Sequence, residues 1–209
     1  MSPAFLLAVF SAVILHGQDS RPIVPPPAVA VFLSFDHQPS EISIEAMKRE
    51  AGSVLGTAGL TLDWRLLENN HGDAPSHELA VLRFTGTCGG SRIAPLDVAR
   101  LSSDKVVLGW TKLSKGRVLP FGEVECDQIR RYIEPVAAGN SPQRERILGR
   151  VLGRVVAHEL FHVLTRTSRH SNTGAAKNAH TAREMAFRKF AFSAHDRELL
   201  RQAEGAGAP

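Results

Sequence analysis

Residues 141–166, SPQRERILGRVLGRVVAHELFHVLTR, impose the strongest constraint on what this chain can fold into. Ile147, Leu148, Val151, Leu152, Val155 and Val156 recur at helical spacing and make a wide apolar face. Ser141 is placed to cap this segment, Pro142 to begin it, and Glu145 to put negative charge near its start. The spacing predicts a helix over 142–166. A face that broad is stable only when a second layer covers it.

The remaining segments supply that layer as strands. AVAVFLSFD (28–36) is apolar and β-branched and predicts a buried strand. A helix follows, with Ser40 as N-cap, Ile42, Met47, Val54 and Leu55 as its stripe, and Gly56 and Gly59 as its stop. LTLDWRLL (60–67) alternates as a half-buried strand does, and ELAVLRFTG (78–86) and KVVLGWTK (105–112) are a third and a fourth. LSKGRVLP (113–120) reads as a turn and FGEVEC (121–126) as a short edge strand. Helical turns over 127–134 end at Pro135, RHSNTGAAKNAH (169–180) is loop-like, and a final helix starts near Ser193. The class is α+β: a mixed, twisted sheet with two main helices packed on it. Trp64 and Trp110 are expected in the core, and Arg146, Arg150 and Arg154, an i, i+4 row, on a solvated face.

The start of the chain bears on compartment. MSPAFLLAVFSAVILHGQ carries an apolar run, Phe5–Leu15, too short to span a bilayer comfortably and suited to the h-region of a signal peptide. The expected organisation is a signal peptide over 1–18, a proline-rich spacer over 19–27, a single domain over 28–204 and a flexible tail over 205–209. The expected location is secreted or periplasmic, in the cell envelope, without stable membrane insertion once the leader is removed. Cys88 and Cys126 are then expected to form one disulfide, which stabilises by about 3–5 kcal/mol in the chain-entropy picture. A net charge of +4, with arginines dispersed and no nucleic-acid-binding signature, argues against nucleic acid as a partner.

Within the long helix stands HELFH. His158 and His162 lie four residues apart, so both imidazoles project from one face, one turn apart, and can meet one ion at about 2.0–2.1 Å. Glu159 projects beside them, within reach of a metal-activated water but not as a ligand. A catalytic zinc takes three protein ligands and keeps one position open. His170, His180 and Glu184 are the candidates for the third, and His170 needs the shortest return of the chain. If not ligands, His180 and His195 are expected at the surface. Met185 is expected in the core, with a Met-turn below the metal as its functional alternative.

VVAHELFHVLTRTSRHSNTG resembles the active-site helix and following loop of metzincin-type zinc proteases such as matrixins, which read HExxHxxGxxH. Thr165 stands at the position of the family glycine and Ser168 at that of its third histidine; His170 comes two residues later. Because threonine does not readily adopt the left-handed turn that glycine provides, the helix is expected to run on and turn at Ser168–Arg169. With AGLTLDWR, LGWTK and FGEVECDQIRRY, the stretch is closer to a group of uncharacterised bacterial, exported metalloprotease-like proteins. In that group the spacing HExxHx7H and the two cysteines recur.

This resemblance covers most of residues 28–180. It implies a metzincin-like fold, Zn2+ held by His158, His162 and His170, Glu159 as general base, and a peptide or protein substrate. The implied activity is that of a zinc metalloendopeptidase, a hydrolase, with the substrate added as a strand, KVVLGWTK being the candidate edge. A zinc-binding but proteolytically inactive secreted domain is the competing expectation, motivated by Thr165 and by the lack of a recognisable substrate-pocket signature.

Overall fold

Val29–Leu33 is buried throughout, as its apolar run requires, and this strand lies inside a five-stranded sheet. The computed structural model describes residues 28–69, 78–89 and 106–206. The expected signal peptide and spacer lie outside the described residues. Along the chain run β1 (Ala28–His37), α1 (Glu41–Gly56), β2 (Thr61–Leu66), β3 (Leu79–Thr87), β4 (Gly109–Ser114), β5 (Arg117–Glu125), α2 (Cys126–Ile133), α3 (Ser141–Thr165), α4 (Ala182–Phe187) and α5 (Ala194–Ala206). The strand order is β2-β1-β3-β5-β4. β1 pairs in parallel with β2 and β3, β3 with β5, and only β4 is antiparallel, at the edge. The α+β class with a mixed sheet stands.

Two strand expectations need correction. β4 begins and ends later than 105–112, and 117–120, expected as turn, is the first part of the nine-residue β5. Lys115 and Gly116 have φ of 49° and 76°, a two-residue reversal whose twist matches the strands it joins. Residues 121–125 are therefore interior, and β4 is the edge on that side of the sheet, with β2 at the other. Pro120 disguises the strand in the sequence. It is tolerated because pairing with β3 begins only at Phe121 and the β4 ladder is irregular between Thr111 and Leu113.

α1 and α3 pack closely against each other. Two glycines on α3 allow it: a Cβ on Gly149 would lie 2.3 Å from the Ser43 carbonyl oxygen, and one on Gly153 2.5 Å from that of Met47. Ser40, the expected N-cap, accepts from the Ser43 amide at 3.2 Å and donates to Glu145 of α3 at 2.5 Å. α3 itself is capped by Asn140, one residue before the expected Ser141. Asn140 and Gln143 form a reciprocal capping box, two orphan amides satisfied at once, which a serine within the helix could not supply.

The arginine row is solvated only at its start: Arg146 is exposed, but Arg150 and Arg154 are engaged by the fold. Arg154 is 5% exposed; its Nε donates to Glu50 at 2.6 Å and its Nη1 to the carbonyls of Glu184 and Met185 at 2.8 and 3.1 Å. Arg150 donates to the Ala186 carbonyl at 2.9 Å. α4, absent from the sequence expectations, covers that side of α3, and a guanidinium can be enclosed there because its donors are met. Trp110 is likewise no core residue: it is 40% exposed on β4, the edge strand, while Trp64 is partly buried. Met185 is in the core.

Cys88 and Cys126 are paired in a disulfide, both fully buried, tying the end of β3 to the start of α2. Such a bond belongs to an oxidising compartment. Among the described residues, no helix is long and apolar enough to cross a membrane.

Candidate metal centre

The last turns of α3 present His158 and His162 side by side on one face. Each ring is held by a backbone carbonyl: His158 Nδ1–H donates to Ala175 at 2.9 Å, and His162 Nδ1–H to Thr167 at 2.7 Å. With both Nδ1 protons so committed, each Nε2 is left with a lone pair, and the two Nε2 atoms lie 3.1 Å apart. Two lone pairs that close repel unless a cation lies between them.

Charging the rings is not an easy escape. Burial lowers the His158 pKa from 6.5 to about 4, against the pull of its Ala175 bond, and burial lowers that of His162 as well. An edge of about 3.3 Å is what two imidazoles on one tetrahedral zinc would span with bonds of about 2.0–2.1 Å.

His170 completes the cluster. Its ring centroid lies 5.2 Å from that of His158 and 4.7 Å from that of His162, and the three potential ligand atoms all fall within 4.8 Å of one another. The helix does not run on to Ser168–Arg169 as expected. It ends at Thr165, and Arg166 takes the left-handed conformation at φ 52°. A non-glycine residue supplies the turn at a cost of about 1–2 kcal/mol, one position after the threonine. The departure from the HExxHxxGxxH pattern is thereby accommodated, and four residues later the chain returns with His170.

The other two candidates stand outside the three-histidine cluster. Glu184 closes the capping box of α4 on Thr181, 2.7 Å from its amide, and lies 3.5 Å from Lys177 Nζ. His180 packs on Phe190, and its Nε2 is enclosed without a hydrogen-bond partner among the described residues; it is partly buried rather than a surface histidine. His195 is exposed.

Glu159 is 4% exposed. Burial raises its carboxyl pKa from 4.5 to about 7, partly offset by the bond Thr111 Oγ1 donates to Oε2 at 2.8 Å. Thr111 lies on β4, which crosses α3 at this point. Gly109 permits the crossing: a Cβ there would lie 2.8 Å from Val155 Cγ1, 2.9 Å from the Glu123 carbonyl and 3.3 Å from Glu159 Oε1.

All four side chains line one cleft of about 500 Å³, walled by Trp110, Leu113, Val155, Met185 and Phe190. Tyr132 of α2 also lines it and donates its hydroxyl proton to the His180 carbonyl. Thr111, Gly109, Tyr132 and the two orienting carbonyls carry no sequence motif. They reach the site by strand crossing and loop return, which no local spacing records.

No protein-family model matches the chain, and no curated protein does. Among solved structures, archaemetzincin from Methanopyrus kandleri is similar over 85% of this chain and 96% of its own, at 12% identity and a TM-score of 0.47.

Proposed function

We propose that this protein is an exported zinc metallopeptidase. One observation carries the proposal: three imidazoles converge within 4.8 Å, with two Nε2 lone pairs 3.1 Å apart, and Glu159 opens onto the same cleft. His158, His162 and His170 are the residues that would hold the ion. Zinc, when bound, supplies Lewis acidity that polarises a carbonyl and brings the pKa of water near neutrality.

The protein's own groups do the rest. Glu159 Oε2 is fixed by Thr111, which leaves Oε1 to take the proton of the attacking water and return it to the leaving amine. Ala175 and Thr167 fix the histidine tautomers. An extended peptide fits along β4, the edge strand at the cleft, where Trp110 and Leu113 flank it. Export is supported by the disulfide.

The competing reading, a zinc holder without activity, drew on Thr165 and on the lack of a recognisable substrate-pocket signature; against the first, Arg166 supplies the left-handed turn one residue later. Zinc per chain, measured by elemental mass spectrometry on the parent and on His170→Ala, tests the centre: about one ion in the parent and a large loss in the variant is expected. Glu159→Ala should keep its zinc and lose casein or gelatin digestion. A variant that binds zinc and digests at the parental rate overturns the peptidase mechanism.

A further inference from the structure

Asp196 is fully buried, yet it stands in the first turn of α5, where a capping carboxylate usually meets water. Its Oδ2 accepts from the Ser193 amide at 3.2 Å and from the Ser193 hydroxyl at 2.7 Å, while its own amide donates to Ser193 Oγ at 3.1 Å. That arrangement is a complete helix cap, and it uses one carboxylate oxygen. The other, Oδ1, accepts from the hydroxyl of Ser171. Ser171 is the residue immediately after His170.

The segment leading into α5 secures the loop a second time. The Ala175 amide donates to the Ala191 carbonyl at 2.9 Å, and the Ala175 carbonyl is the acceptor that orients His158. Between these two points the Ser171 amide donates to Ala176 at 2.9 Å and closes the loop on itself. His170 is exposed, and no hydrogen bond orients its ring among the described residues. The placement of its backbone therefore decides where its ring nitrogen sits.

Resting on the metal centre proposed above, we infer that Asp196 is a positioning residue: through Ser171 it anchors the loop that delivers His170 to the ion. The C-terminal helix is then part of the metal site, although it contributes no ligand. A buried carboxylate suits this task because it holds cap and loop in one rigid group, and a charge-assisted bond to a hydroxyl is stronger than a neutral one.

The test uses the full chain with Ser171→Ala and Asp196→Asn. Ser171→Ala removes the loop's donor and leaves the α5 cap complete, so it reports even if Asp196→Asn folds poorly. Zinc affinity is read by chelator competition, and ligand geometry by the visible spectrum of the cobalt-substituted protein. Binding about 10-fold weaker than the parent's is expected for Ser171→Ala, in the range that outer partners of metal ligands command. Its cobalt spectrum should shift towards that of His170→Ala. Parental affinity and an unchanged cobalt spectrum, with only a lower melting temperature, would make the bond purely structural and overturn the inference while leaving the metal centre standing. A parent that binds no metal overturns both.

Discussion

One substitution, glycine to alanine, should have opposite signs at two helical positions of this protein. In a helix without tertiary neighbours the change gains about 1 kcal/mol, because glycine loses more backbone entropy on folding. Gly52 of α1 meets that condition: a Cβ there has nothing within 4 Å. Gly149 of α3 does not. Its Cβ would lie 2.3 Å from the Ser43 carbonyl oxygen and 2.7 Å from Ala46 Cβ. Those neighbours are backbone and a methyl group with no rotamer to yield, so α1 must retreat by about 1 Å along a packed interface. Overpacking of this kind costs typically 1–3 kcal/mol, here at the upper end. After the propensity gain, Gly149→Ala should lose about 2 kcal/mol, and Gly52→Ala should gain up to about 1 kcal/mol. Urea unfolding of the metal-free protein, followed by circular dichroism, measures both against the parent. If Gly149→Ala is as stable as Gly52→Ala, the close approach of α1 and α3 is not where these distances put it.

Three further outcomes are expected. In metal-free protein the native Glu159 carboxyl, raised from 4.5 to about 7, retains a proton the unfolded chain has released, so the native state loses stability as pH rises through that window. Glu159→Gln should therefore equal the parent in stability below pH 4.5 and exceed it by about 3 kcal/mol above pH 7, as measured by urea titration at pH 4 and pH 8; no pH-dependent gap would refute the burial argument. Replacing Cys88 and Cys126 by serine frees a 38-residue separation and should cost about 4 kcal/mol, seen as a lower urea midpoint. Arg166→Gly relieves the left-handed turn and should stabilise by about 1 kcal/mol in the same assay; a loss instead would show that the turn carries no strain.

Much of this architecture is legible in the chain alone, for a physical reason. α3, α1 with its Ser40 cap, β1 and the placing of two histidines on one helical face are set by contacts within a few residues, and periodicity records those directly. The short path from His162 to His170 follows from where the helix has to stop. The tertiary structure decided the rest. Asn140 rather than Ser141 caps α3, because the choice depends on one residue's extended backbone. Pro120 conceals a strand whose missing donor matters only once its neighbours are known. Arg154 looks like surface until α4 and Glu50 enclose it. The groups that support the candidate metal centre come from far along the chain: Thr111 reaches Glu159 across 48 residues, Ala175 orients His158 across 17, and Asp196 holds Ser171 across 25. A sequence names ligands when a helix spaces them. It cannot name their supports, because those are chosen by which strand and which loop the fold brings alongside.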